Sequence, residues 1–147
     1  IFVNELMKAA RAAKLFDVLE FVVAINIEKK PLFSINERLE MIRESVQDIK
    51  NIKVSSFDGL VVNHARKVHA KSIIRGMRHV SDFEFEFQMA MMNFHLAPDI
   101  TSLFMMPDEK YIHLNSSVIK DVVKNGGDVS SFVPKSVNDA LLSEFSK

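Results

Sequence analysis

Val18-Leu19-Glu20-Phe21-Val22-Val23-Ala24-Ile25 is a near-continuous apolar run of strand length, and its reading decides the fold. A run of this kind is typical of a strand buried on both faces of a parallel sheet, where alternation gives way to continuous hydrophobicity. Upstream, residues 3–15 place Val3, Leu6, Met7, Ala10 and Ala13 on one helical face. Downstream, Ser34-Ile35-Asn36-Glu37 is a capping box, with Ser34 as N-cap and Glu37 reaching back, and the helix it opens buries Leu39, Ile42 and Val46.

The alternation continues to the end of the chain. Residues 52–55 read as a strand, 60–67 as a helix and 72–74 as a strand running into Arg75-Gly76-Met77-Arg78. Asp82 is expected to cap a helix reaching Phe94, with Phe83, Phe87, Ala90, Met91 and Phe94 lined along it and Pro98 as the stop. Residues 101–105 form the last strand, and residues 117–124 a helix closed by Gly126-Gly127. The last helix covers residues 135–145, entered through Pro134. Repeated β-α units predict a parallel sheet covered by helices, here as one α/β domain over residues 1–147. The chain opens on a helix, because Ile1-Phe2 are too few for a strand. In doubly wound sheets of the commonest order the first strand is central. Its loss would strand backbone groups at about 1–3 kcal/mol each. The expectation is therefore that residues are missing before Ile1 or between Phe2 and Val3.

Composition narrows the function classes. Lys plus Arg and Asp plus Glu both number 19, so no net field attracts a polyanion and nucleic acid is not an expected partner. There is no cysteine, which excludes disulfides, thiolate metal sites and cysteine nucleophiles. The longest apolar stretch, residues 21–25, is far short of the roughly 20 residues of a membrane span. Together these features read as a soluble, cytoplasmic protein with no membrane partner.

Three segments carry anion chemistry. Arg75-Gly76-Met77-Arg78 lies where a strand ends, and ligands of open α/β sheets bind at the carboxyl ends of strands. Two guanidinium forks flanking a glycine suit a phosphate; the alternative is a solvated basic turn. Asn115-Ser116-Ser117 opens a helix and offers free N–H groups and the positive dipole end, or else ordinary capping. Lys29-Lys30-Pro31 follows the first strand and either neutralises a phosphate or merely solubilises the turn. Glu86 and Asn93, seven residues apart, fall nearly in line on one helix, to hydrogen-bond a ribose or amide or to face solvent. Met89, Met91, Met92, Met105 and Met106 read as core or subunit interface. The histidines His64, His69, His79, His95 and His113 show no metal-ligand spacing, and no phosphate-loop or nucleophile-elbow motif is present.

Taken in order, Lys29-Lys30-Pro31-Leu32-Phe33-Ser34, Phe57-Asp58-Gly59-Leu60, Ile74-Arg75-Gly76-Met77-Arg78, Asp82-Phe83-Glu84-Phe85-Glu86 and Met92-Asn93 resemble the phosphopantetheine adenylyltransferases. So do Phe104-Met105-Met106-Pro107, Ser116-Ser117 and Gly126-Gly127-Asp128-Val129, and the similarity runs from about Arg11 to Phe145. The resemblance implies a Rossmann-like nucleotidyltransferase fold with a doubly wound parallel sheet. It also implies adenylyl transfer from ATP to 4′-phosphopantetheine, giving dephospho-coenzyme A and pyrophosphate. Mg²⁺ would accompany ATP, coenzyme A would bind as a product-like ligand, and the assembly would be a homohexamer.

By matching positions, Lys29, Val61, Arg75 and Asn93 would bind the phosphopantetheine substrate. Gly76, Met77, Arg78 and Glu86 would bind ATP, together with Tyr111, Ile112, His113, Leu114, Asn115, Ser116 and Ser117. Asn115 stands where many members carry serine. The family's opening strand, with its G-[ST]-F-D-P and T-x-G-H signature, has no match in the sequence, and Val3-Asn4-Glu5-Leu6 falls about where that motif would end. The catalytic histidine is accordingly unassigned. A catalytically inactive coenzyme A or nucleotide-binding homologue is the alternative expectation, and a related nucleotidyltransferase with another acceptor a further one.

Overall fold

A computed structural model describes residues 3–25, 31–77, 80–112 and 114–146. Ile1, Phe2, Lys29, Lys30, Arg78, His79 and His113 lie outside the described residues. The element order is α1 (Val3–Ala12), β1 (Leu19–Ala24), α2 (Ile35–Val46), β2 (Ile52–Phe57), α3 (Val61–Lys67), β3 (Ser72–Gly76), α4 (Val80–Leu96), β4 (Thr101–Met105), α5 (Ser116–Lys124) and α6 (Lys135–Phe145). A short 3₁₀ turn at Glu109–Tyr111 precedes α5.

The strands are parallel, as the α/β pattern requires, and among the described residues they form two pairs. β1 pairs with β2 from Leu19 opposite Ile52 to Ala24 opposite Phe57, with α2 as the crossover. β3 pairs with β4 from Ser72 opposite Thr101 to Gly76 opposite Met105, with α4 as the crossover. The carboxyl ends of the two pairs are therefore Ala24 with Phe57, and Gly76 with Met105.

Each helix owes its place to a local signal and a buried stripe. The Ser34 hydroxyl accepts from the Glu37 N–H at 3.3 Å, and the Glu37 carboxylate accepts from the Ser34 N–H at 2.7 Å. Such a cap is worth about 1 kcal/mol. α2 then buries Leu39, Met41, Ile42 and Val46. Leu39, Ile42 and Val46 join Leu6 of α1 and Val23 of β1 in one cluster, and a side chain as fully buried as Ile42 contributes roughly 2 kcal/mol of transfer free energy. A second cluster gathers Val62, Ala65, Ile73, Ala97 and Ile100 beneath β3. A third joins Met41 to Ile119, Val123, Val129, Val137 and Leu141, tying α5 and α6 to α2. Gly126, at φ +78, supplies the left-handed residue that ends α5.

Several expectations change in detail. Only Val23 of β1 is buried, because among the described residues the strand has one hydrogen-bonded neighbour and it carries a carboxylate. That carboxylate, Glu20, accepts from the Ser55 hydroxyl and meets His64 Nε2 at 3.1 Å, which fastens α3 to β1. Among the described side chains of α1, Leu6, Lys8, Ala9 and Ala12 are buried, with Ala13 just past its end, so the apolar stripe runs through Ala9, not through Met7 and Ala10. α4 starts at Val80, two residues before Asp82, so Asp82 lies in the first turn and is not the cap. Phe83, Phe87, Met91 and Phe94 are exposed on this chain, as are Met89, Met92 and Met106, so the core option for these methionines fails here. α5 opens at Ser116 with Asn115 as N-cap.

Candidate functional site

The most developed polar arrangement among the described residues lies at the carboxyl end of β3. Ile73 is buried, and two residues on, Arg75 carries its side chain to the strand tip. Arg75 Nε donates to Glu86 Oε2 at 2.8 Å and Nη2 donates to Oε1 at 2.8 Å, a two-bond fork across 11 residues. The Glu86 side chain is 12% exposed and that of Arg75 43% exposed, so the carboxylate is the sheltered partner and the guanidinium faces outward. The Glu86 hydrogen bond and charge raise the Arg75 pKa above its ordinary value, against the opposing effect of burial, and Glu5 adds to the rise. Arg75 is thus a fixed cation, with two of its five N–H donors engaged by Glu86.

Gly76 completes the tip. A β-carbon built there would collide with Lys8 Nζ and sit 2.7 Å from Lys8 Cε and 2.8 Å from Cδ, so the glycine makes room for a lysine stem. Lys8 comes from α1, is 6% exposed, and donates to Glu5 at 2.9 Å. On the same helix Arg11 Nη1 donates to the Met106 carbonyl at 3.0 Å, just past the end of β4, and the Met77 N–H donates to the Met105 carbonyl at 3.4 Å. α1 therefore closes over the carboxyl end of the β3–β4 pair.

Val61 is half-buried and Asn93 buried, each by its own packing. Val61, half-buried at the start of α3, packs against the cluster that holds Ala97. The Ala97 N–H in turn donates to the Asn93 carbonyl at 2.8 Å. Asn93 is 6% exposed, which removes the solvated reading, as the fork to Arg75 does for Glu86.

The second segment expected to meet an anion is the α5 N-terminus. Asn115 Oδ1 accepts from the Val118 N–H at 2.9 Å, so asparagine serves as the cap. The Ser116 and Ser117 N–H groups precede any carbonyl four residues back within the helix, and both residues are exposed. The Leu114 N–H donates to the Tyr111 carbonyl at 3.1 Å, and Leu114 packs into the cluster of α2, α5 and α6. Tyr111, Ile112 and Leu114 are half-buried along this approach.

The structure thus joins Arg75, Gly76 and Glu86 at one corner, with Val61 at the start of α3 and Asn93 buried on α4. Of residues 111, 112 and 114–117, Leu114 packs on the third cluster and 115–117 are exposed at the start of α5. Lys29, Arg78 and His113 lie outside the described residues. Two cavities are lined by other residues, one of about 330 Å³ by residues including Phe33, Met41 and Ala140 and one of about 360 Å³ by residues including Val46, Ile49 and Val54. Sequence reasoning missed Glu5 and Lys8. Their acid–base spacing of three was visible, but nothing local shows that Lys8 is buried against a strand tip 68 residues on.

Comparison with known proteins places this geometry in context. The cytidylyltransferase-like family profile matches residues 6–122. A protein of Caldanaerobacter subterraneus subsp. tengcongensis is 48% identical over 137 residues, covering 93% of this chain and 86% of the relative. Relatives from Dictyoglomus thermophilum (47% over 135 residues, 92% of this chain and 82% of the relative) and Methylococcus capsulatus (49% over 135 residues, 92% and 83%) are similarly close. All three bear the name phosphopantetheine adenylyltransferase.

Proposed function

Since the chain belongs to the phosphopantetheine adenylyltransferases, within the cytidylyltransferase-like family, we propose that it transfers the adenylyl group of ATP to 4′-phosphopantetheine, giving dephospho-coenzyme A and pyrophosphate. The observation that carries this reading is the near-50% identity over almost the whole chain to relatives of that one name. The Arg75–Glu86 fork at the carboxyl end of β3 supports it, because that is where a parallel α/β sheet presents its ligands.

The chemistry is an in-line displacement. A phosphate oxygen of phosphopantetheine attacks the α-phosphorus of ATP, the bond from that phosphorus to the bridging oxygen breaks, and pyrophosphate leaves with the bonding electrons. No covalent enzyme intermediate is needed, so the protein's task is to align two anions and neutralise charge spreading over the transferred group. In this reading Arg75 and Lys29 hold the phosphopantetheine phosphate, and Val61 and Asn93 receive the rest of that substrate. Gly76, Met77, Arg78 and Glu86 bind the nucleotide with residues 111–117, whose helix N-terminus offers backbone donors to its phosphates. Arg75 suits its role because Glu86 fixes the plane of its guanidinium before a phosphate arrives.

Mg²⁺ enters this reading as the counter-ion of ATP. No group of three acidic, histidine or cysteine residues able to hold a metal occurs among the described residues, and no step is routed through one. The reading also places the enzyme in the cytoplasm, where ATP is the co-substrate; no helix among the described residues is long and apolar enough to cross a membrane. A homohexamer is part of the same proposal. α4 presents Phe85, Met91, Met92 and Phe94 to the surface, an apolar display that a second copy would cover. Light scattering on the full-length protein should then read six chains, and a monomer would refute the assembly.

The activity is tested by following pyrophosphate release from ATP and phosphopantetheine with the full-length protein. Release that depends on both substrates is expected; a folded protein that yields none overturns the reading.

A further inference from the structure

We propose that Lys8 is a nucleotide-binding residue of this enzyme, its ammonium contacting a phosphate of the nucleotide bound along Gly76, with Glu5 as the internal anion that phosphate replaces. The proposal rests on the adenylyl-transfer reading and adds a residue to it.

The first observation is burial. A lysine side chain stays almost wholly shielded only where something specific retains it, since the flexible stem normally carries the charge to water. At 6% exposure Lys8 is held in, and its ion pair with Glu5 does not require this, because Glu5 is itself 43% exposed and three residues away on the same helix. A surface pair of that spacing forms equally well with both heads solvated.

The second observation is direction. The stem of Lys8 crosses Gly76 so closely that a β-carbon there would collide with Nζ, which brings the ammonium to the carboxyl end of β3 beside Arg75. That glycine stands where the nucleotide is read to approach the backbone. The third observation is charge balance. Two cations, Lys8 and Arg75, each hold one carboxylate, Glu5 and Glu86 respectively. Glu5 is also close enough to add to the stabilisation of the Arg75 charge, so the four groups form one electrostatic cluster. A carboxylate on an ammonium marks a position an anion can take. A phosphate oxygen makes the same bond while bringing more negative charge, so an exchange of partners at Lys8 is favourable. At Arg75 the guanidinium has donors beyond the fork to Glu86, so no exchange is needed there.

The test is calorimetric titration of the full-length protein with ATP and, separately, with phosphopantetheine. Lys8→Met keeps the stem and removes the charge; its Kd for ATP should rise about tenfold, as for one lost charged hydrogen bond, with phosphopantetheine affinity within about twofold. Glu5→Gln should leave ATP affinity unchanged or tighten it, because it removes the competing anion. A purely structural ion pair predicts instead that Glu5→Gln and Lys8→Met weaken both ligands alike, and that result overturns the proposal. So does an unchanged ATP affinity in Lys8→Met. If Lys8→Met fails to fold, Lys8→Arg decides: it retains the charge and should stay within about threefold for ATP, and a tenfold loss contradicts the assignment. A wild-type protein that binds neither substrate would sink the adenylyl-transfer reading itself. Wild-type turnover with unaltered ATP binding in the variant would remove Lys8 alone.

Discussion

In the proposed reading the tip of β3 and the start of α5 both receive anions, but by opposite means. At β3 the donors are side chains, and each is already engaged: Arg75 with Glu86 through two bonds of 2.8 Å, Lys8 with Glu5 at 2.9 Å. At α5 the donors are backbone N–H groups of Ser116 and Ser117, and the neighbouring side chain of Asn115 is spent on capping Val118. The first corner depends on residue identity and on the mutual orientation of elements far apart in sequence. The second depends on backbone geometry that almost any sequence with a good cap would supply. Substitutions should therefore hurt ligand binding at β3 and helix stability at α5.

The sharpest expected difference is at Arg75. Arg75→Ala should lower kcat/KM for phosphopantetheine by about 10- to 100-fold, the loss of a charged hydrogen bond or two, with KM for ATP within about threefold. Steady-state kinetics with each substrate varied in turn checks it; equal losses for both would erase the distinction between the corners.

A smaller effect belongs to Glu86→Ala. It frees the guanidinium from its fork while leaving the charge, so kcat/KM should fall by about tenfold through lost orientation. The same kinetics reads it, and an unchanged value would show that Arg75 needs no positioning.

Asn115→Ala should be milder still, and should act on the fold. Loss of the cap costs about 1 kcal/mol, a fall in Tm of roughly 3 °C for a domain of this size, with ATP affinity nearly constant because the backbone donors remain. Thermal melts with and without ATP test it. A large loss of ATP affinity at constant Tm would mean that the Asn115 side chain itself contacts the ligand.

The same contrast explains what the sequence could disclose. The Ser34–Glu37 capping box, the Asn115 cap, the last strand at Thr101–Met105 and the closing Gly126 were legible because each is decided within a few residues. The α/β class followed from the β-α alternation, and the family from motifs spread along the chain. What stayed hidden is non-local. Nothing near Glu86 announces that it grips Arg75, and the helix pattern around Lys8 gives a lysine no reason to be buried. β1 reads as a doubly buried strand, yet Glu20 within it is committed to Ser55 and His64, and only Val23 is fully covered. The periodicity of α4 likewise shows apolar residues without showing what they face, and Phe83, Phe87, Met91 and Phe94 emerge at the surface.

The central claim is that Arg75 recognises the phosphate of the pantetheine substrate. Its most direct test is to titrate wild-type and Arg75→Ala protein, side by side in a calorimeter, with phosphopantetheine and with pantetheine lacking the phosphate. Arg75→Ala should abolish the preference for the phosphorylated ligand and leave pantetheine affinity as in the wild type. An undiminished preference in the variant would contradict the claim.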